Sequence, residues 1–126
     1  MNTAKDQLER TLLKVEEGID DAACGLGTIQ DRLYAAINIF CFAPIDRIPD
    51  YLAVEGQAIL AACSTVKAED RNIWPTVDGK KIEGGYQATC VSMEPREAAA
   101  MMRRIIEWRG QMASALEALE RGESLE

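Results

Sequence analysis

The chain has 126 residues, of which 48% are hydrophobic and 28% are charged. This length and balance indicate one globular domain over residues 1–126, and they exclude a disordered chain or two separate domains. The formal net charge is −7, whereas direct nucleic-acid binding needs a positive surface that displaces counterions. We therefore expect a partner that is not a nucleic acid.

The sequence predicts neither a signal peptide nor a membrane span. Residues 1–6 lead into charged residues without an apolar stretch behind them. The most apolar run, residues 33–45, contains Asn38 and Pro44 and is shorter than the roughly 20 apolar residues that a membrane helix needs. We expect a cytoplasmic protein with no membrane partner.

Apolar residues in the first forty positions recur at alternating steps of four and three, which is typical of one helix face. We call this row the seam; it consists of Leu8, Leu12, Val15, Ile19, Ala22, Leu26, Ile29, Leu33, Ala36 and Phe40. The seam keeps its phase through Gly25 and Gly27, which predicts one long helix over about residues 3–40, bent at residues 25–27. The alternative is a break between two helices, with Thr28 as cap and Asp31 in the new first turn.

The N-terminal segment contains the small residues Gly18, Ala22, Cys24 and Gly25, which would allow another helix to approach closely. After Phe40, Pro44 and Pro49 predict a turn or a short irregular connection, because residues before proline avoid helical geometry. A middle helix is then expected from about Tyr51 to Val66, with Asp50 as its cap.

Residues 67–93 lose helical periodicity. Asp78-Gly79 stands between short runs with strand propensity, which favours a small hairpin or an ordered loop at about 67–93. A C-terminal helix is expected to begin around residues 94–96, with Ser92 as a possible cap and an apolar row from Met101 to Leu119. The predicted fold is therefore mainly α: a helical bundle of a long N-terminal helix, a middle helix and a C-terminal helix.

The residue types argue against catalysis. The chain has no histidine, so a serine or cysteine nucleophile would lack its usual base. Four cysteines stand at positions 24, 41, 63 and 90, and a zinc site would need all four thiolates from distant places. We expect reduced, mostly buried thiols, with no catalytic residue, no cofactor and no metal.

One acidic pair could bind a divalent cation. Glu17 and Asp21 lie one helical turn apart, but the sequence shows no second pair of ligands that converges on them. A solvated acidic face is the preferred interpretation, and a divalent-metal enzyme is the less favoured alternative.

The length of the predicted N-terminal helix suggests an interface. A helix over residues 3–40 would be about 55 Å long, and the two other helices would leave part of the seam uncovered. Another polypeptide would then cover it, and we expect a homodimer. Trp74 and Tyr86 lie in the irregular segment and are typical interface anchors, unless that segment folds over the helices. The predicted partner-binding or dimer residues are Leu12, Val15, Ile19, Ala22, Leu26, Ile29, Leu33, Trp74 and Tyr86.

These features favour a non-catalytic protein-binding regulator. The expected form is an inhibitor that occupies a partner's interface, such as an antiactivator of a transcription factor or an inhibitor of a nucleic-acid-binding complex. A secretion-type chaperone is the alternative, because such proteins are also small acidic dimers, although with more strand content.

Overall fold

The computed structural model describes residues 3–66, 76–77, 80–81 and 85–123. In these ranges the helices are α1 (Ala4–Cys24), α2 (Ile29–Phe40), a 3₁₀ turn (Ile45–Arg47), α3 (Asp50–Ala62), α4 (Gly85–Ser92) and α5 (Pro95–Glu120), and the strands are β1 (Thr76–Val77) and β2 (Lys80–Lys81). The prediction of a mainly α helical bundle is confirmed.

The prediction of one continuous N-terminal helix is wrong, because the chain reverses direction between α1 and α2. Gly27 has a φ of 113°, a left-handed conformation that favours glycine. Thr28 and Asp31 then form a reciprocal capping box: the Thr28 hydroxyl accepts from the Asp31 N–H at 3.2 Å, and the Thr28 N–H donates to the Asp31 carboxylate at 3.3 Å. Such a box defines a new helix start. The steps of four and three continue across the turn because α1 and α2 are each amphipathic and each bury their own seam residues.

The two helices of this hairpin pack closely against each other. A Cβ atom on Gly18 would lie 2.7 Å from the carbonyl oxygen of Ala36, so the missing side chain allows α2 to approach α1. The close approach expected at Gly18 therefore occurs, but the approaching helix belongs to the same chain. The seam turns inward in both helices, and its buried members are Leu8, Leu12, Val15, Ala22, Leu33, Ala36 and Phe40.

The core is centred on Trp108 of α5, whose side chain is fully buried. Its ring packs edge-on against Phe40 with centroids 5.9 Å apart, and its indole N–H donates to the carbonyl of Leu52 at 2.9 Å. A Cβ atom on Gly56 would lie 2.5 Å from the Trp108 ring, so this glycine allows α3 to lie against the indole. Trp108 thus links α2, α3 and α5.

Two expected helix ends differ from those observed. α3 ends at Ala62 instead of Val66, and it begins at Asp50 with Pro49 in the cap position. Its expected cap, Asp50, is therefore the first helical residue.

The start of α5 agrees with the expected range, but its cap differs. Pro95 is in the first turn, where its missing N–H costs nothing. Glu94 is the cap, and its own N–H donates to the Glu97 carboxylate at 3.3 Å. Ser92, the expected cap, instead lies in α4, where its hydroxyl donates to the carbonyl of Ala88 at 2.6 Å.

The segment before α5 contains the predicted hairpin and a helix that was not predicted. Thr76 pairs with Lys81 and Val77 with Lys80 in an antiparallel arrangement, as the Asp78-Gly79 signal suggested. α4 lacks a strong helical pattern and depends on tertiary contacts, which often decide whether a short helix forms. The Thr89 hydroxyl accepts from the N–H of Val66 at 2.8 Å and donates to its carbonyl at 3.3 Å.

Candidate protein-binding surface

The structure separates the predicted interface residues instead of collecting them on one exposed surface. Leu12, Val15, Ala22 and Leu33 are buried, and the partly buried Ile19, Ile29 and Tyr86 pack against the same core. Leu26 is 96% exposed in the turn between α1 and α2. Trp74 lies outside the described residues. Because the hairpin covers its own apolar row, the expected surplus of uncovered seam is not present.

The outer side of α3 carries apolar residues at solvent-facing positions, together with the exposed polar residues Asp50 and Gln57. On the inner side, Leu52, Gly56, Ile59 and Leu60 are buried. On the outer side, apolar residues recur at steps of three, four and three; we call this row the α3 face, and it consists of Tyr51, Val54, Ala58 and Ala61. Tyr51 is 53% exposed and Val54 is 69% exposed. The outer side of a surface helix is normally polar, so the α3 face requires an explanation other than folding.

A groove adjoins the α3 face where the C-terminal half of α5 extends past the start of α3. Its volume is about 540 Å³, and it is lined by Tyr51, Glu107, Gly110, Gln111, Ser114, Ala115 and Ala118. Gly110, Ser114 and Ala118 are spaced four residues apart and form a row of small residues along α5. A Cβ atom on Gly110 would meet no described atom within 4 Å. The groove therefore has room for another polypeptide to approach the α5 backbone.

α3 is held firmly on α5 from its inner side. The Arg104 guanidinium donates two hydrogen bonds to the Glu55 carboxylate, at 2.8 and 2.7 Å. This pairing lowers the pKa of Glu55 below its ordinary value and raises the pKa of Arg104. This ion pair and the hydrogen bond from the Trp108 indole to the carbonyl of Leu52 hold α3 against α5. The position of the α3 face is therefore fixed within the chain.

Because the exposed Arg103 stands one helical turn before Glu107 on α5, charges of both signs lie near the groove. Among the described residues that line it, Glu107 alone is charged, and Asp50 precedes Tyr51 at the start of α3. Glu55, one residue beyond Val54, is already paired with Arg104. A ligand in the groove would therefore meet the Glu107 carboxylate beside an apolar surface, and a positively charged group on the ligand would complement that carboxylate.

Other exposed apolar side chains are spread over separate elements. Leu13 lies on α1, Phe42 follows α2, and Ile106 lies on α5. Single exposed apolar residues are common on protein surfaces and need no special role. The α3 face differs because its members form a regular row next to a groove.

The acidic pair considered for a metal lies on the exposed surface of α1. Glu17 forms an ion pair with Lys14 at 3.2 Å, and Asp21 is exposed. In the part of the chain that the structure describes, no group of three or more Cys, Asp or Glu side chains is placed to hold a metal ion. Within the same part, no helix is both long enough and apolar enough to cross a membrane.

Sequence reasoning missed the α3 face, although the signal was present. Asp50, Glu55 and Gln57 are the only charged or amide side chains among the thirteen residues of α3, so apolar residues occur on both sides of the helix. A helix that is apolar all round has to be covered on all sides. That property could have been noticed before the structure was known.

Comparisons of the chain with protein-family models, with curated proteins and with solved structures found no match. Its function is therefore inferred from the chemistry of its surface.

Proposed function

We propose that this chain is a non-catalytic protein-binding regulator that docks an apolar helix of a partner on the α3 face and in the adjoining groove. The observation that carries the proposal is the exposure of Tyr51 and Val54 on a helix that is already apolar on its inner side. Contiguous exposed apolar surface commonly marks an interaction site. Tyrosine is also among the residues that most often dominate binding energy at interfaces.

The shape of the site suits a helix as the ligand. Amphipathic helices bind grooves through side chains at i, i+3, i+4 and i+7, and the α3 face offers apolar side chains at matching spacing. The small residues Gly110, Ser114 and Ala118 would allow the helix axes to approach to about 8–10 Å, the usual distance between packed helices.

The negative charge of the chain suggests that basic residues flank the apolar row of the partner helix. The net charge is −7, and Glu107 faces the groove. A partner helix that carries lysine or arginine beside its apolar row would complement both features and would associate faster. Transcription factors and nucleic-acid-binding complexes contain such basic helices, so a cytoplasmic antiactivator or inhibitor of this kind is the specific form that we propose.

The partner protein would be inhibited because its helix is occupied by this chain. A partner helix held in the groove cannot at the same time bind its own target or dimerise. The regulator needs no reactive group for this effect, which agrees with the absence of histidine from the sequence. A second copy of the chain is the other occupant expected for this face.

No specific observation favours the alternatives. The secretion-chaperone hypothesis called for substantial strand content, and the described residues contain a single pair of two-residue strands. The divalent-metal enzyme would depend on Glu17 and Asp21, and Glu17 is paired with Lys14.

The test is site-specific photo-crosslinking in cells of the organism that encodes the chain. A photoreactive amino acid replaces Val54 on the α3 face or, as the matched control, Leu13 on α1, which is 57% exposed. We expect one discrete adduct with another protein from position 54 and none from position 13. Mass spectrometry of the adduct identifies the partner and the segment that is bound.

Two outcomes would contradict the proposal. The same adducts from both positions would indicate non-specific contact, and no adduct from position 54 would remove the α3 face as a binding site. An adduct with twice the mass of the chain would instead assign this face to a homodimer. Val54→Glu and Leu13→Glu provide a second comparison, in which only the first variant should lose the captured partner while both keep the wild-type melting temperature.

A further inference from the structure

Three glycines lie inside helices of the bundle, and the fold accounts for two of them. Gly18 lies in α1, Gly56 in α3 and Gly110 in α5. Glycine is among the least favourable residues in a helix interior, because it loses the most conformational freedom on folding. A Cβ atom would lie 2.7 Å from the carbonyl oxygen of Ala36 at Gly18, and 2.5 Å from the Trp108 ring at Gly56. Both glycines therefore permit close packing within the chain, which offsets their low helix propensity.

Gly110 has no such explanation in the part of the chain that the structure describes. It is exposed in the interior of α5, and a Cβ atom there would meet no described atom within 4 Å. The backbone conformation does not require glycine either, because the glycines with positive φ among the described residues are Gly27 and Gly122. Alanine would fit at position 110 and would favour the helix, so Gly110 lowers the stability of α5 without improving its packing.

Gly110 lies in the groove that adjoins the α3 face. Tyr51 of α3 lines this groove together with Glu107, Gly110 and Ser114 of α5. Glu107 precedes Gly110 by three residues and Ser114 follows it by four, so both are its neighbours on the helix surface. The volume of the groove is about 540 Å³. The backbone of α5 is therefore accessible from the groove at the one helical position that has no side chain.

We propose that Gly110 is the specificity-determining residue of this site, at which the partner helix crosses α5 with its backbone close to the backbone of Gly110. This role depends on the function proposed above, with an amphipathic helix of another protein as the occupant. The distance between packed helices depends on the side chains at the point of contact, and glycine allows the shortest distance. A lysine or arginine of the partner helix near the crossing point would complement the Glu107 carboxylate, one helical turn from Gly110.

The proposed role makes stability and binding respond in opposite directions to a side chain at position 110. In the free chain, the side chain would raise the helix propensity of α5. In the complex, the same side chain would occupy the space of the partner backbone. Loss of function through stabilisation is a recurrent property of binding and catalytic sites, whereas a glycine that served only the fold would lose stability and binding together.

The experiment adds Gly110→Ala or Gly110→Leu to the full chain that carries the photoreactive residue at position 54. We expect the melting temperature of Gly110→Ala to rise by up to about 5 °C. The yield of the partner adduct should fall for both variants, and by at least about tenfold for Gly110→Leu, because a bulky side chain overpacks the crossing point. Glu120→Leu is the matched control: it adds leucine at an exposed position of α5 that does not line the groove, and it should keep the parental yield.

The outcomes separate this inference from the function on which it depends. A Gly110→Leu chain that folds and keeps the parental adduct yield would overturn the role of Gly110 and leave the proposed function intact. A lowered melting temperature for Gly110→Ala would also overturn it, because the fold itself would then require the glycine. An equal loss of adduct from Glu120→Leu would show that the effect is not specific to position 110. Absence of any adduct from position 54 in the parental chain would contradict the proposed function and this inference together.

Discussion

The α1–α2 hairpin and α3 carry similar apolar side chains, but they differ in how many of their faces the fold covers. In the hairpin, each helix has one apolar face, and packing between α1 and α2 and against α4 and α5 covers those faces. In α3, the inner face packs on α5 and the 3₁₀ turn, while Tyr51 and Val54 remain exposed on the outer face. The apolar row of the hairpin is thus covered by the fold, whereas the second apolar face of α3 is the surface that we propose for binding.

The largest expected difference between the two regions comes from truncating one apolar residue in each. Leu33→Ala removes a fully buried side chain from the hairpin and should lower the free energy of unfolding by about 2–5 kcal/mol. Val54→Ala on the α3 face should change it by no more than about 0.5 kcal/mol, since the residue is exposed. Urea denaturation of both variants measures the two values. Equal losses would show that the α3 face is covered within the single chain.

Two glycines provide the next comparison, because both lie inside helices and their surroundings differ. Alanine at Gly18 would place Cβ 2.7 Å from the backbone of Ala36, and forcing α1 and α2 apart should cost about 1–3 kcal/mol. Alanine at Gly110 meets open space and should stabilise α5 by up to about 1 kcal/mol through helix propensity. The melting temperature should therefore fall for Gly18→Ala and rise for Gly110→Ala. A Gly18→Ala variant with a raised melting temperature would contradict the close packing of the hairpin.

The reversal between α1 and α2 depends on a capping box, which gives a smaller effect. Thr28→Ala removes the hydroxyl that accepts from the N–H of Asp31 and should cost about 1 kcal/mol in denaturant unfolding. Thr28→Ser keeps the hydroxyl and serves as the control. If Thr28→Ala were as stable as Thr28→Ser, the start of α2 would not depend on this cap.

The smallest expected effect concerns the ion pair that positions α3. The pKa of Glu55 is lowered by the hydrogen bonds from Arg104, so the carboxylate contributes stability above its unfolded pKa of about 4.3 and loses it as pH falls through the lowered folded value. Glu55→Gln should therefore cost up to about 1 kcal/mol at neutral pH, and the difference from wild type should shrink on acidification. Glu17→Gln, which disrupts an exposed pair with Lys14, should show a smaller and flatter difference. A loss for Glu55→Gln that stays constant down to low pH would contradict this role.

Within the fold, prediction succeeded where local signals were strong and failed where two signals competed. The Asp78-Gly79 sequence favoured a small hairpin or an ordered loop, and the apolar row of α5 was sufficient to predict a C-terminal helix. At Gly25–Gly27, the continuous phase of the seam outweighed the capping signal of Thr28 and Asp31, and the prediction of one helix was wrong. Phase alone cannot distinguish a straight helix from two amphipathic helices that are joined by a turn of matching length.

The candidate site was less predictable than the fold. The composition of α3 indicated a helix that is apolar all round, but which of its faces would remain exposed depended on the position of Trp108.

Sequence by itself determined the helical class, the negative charge and the absence of histidine chemistry, because these follow from local periodicity and composition. Only the tertiary structure decided that the N-terminal seam is covered within one chain and that the outer face of α3 is left exposed. Each of those outcomes depends on contacts between residues far apart in the chain, and the free energy of such contacts is not encoded in the local pattern of either partner.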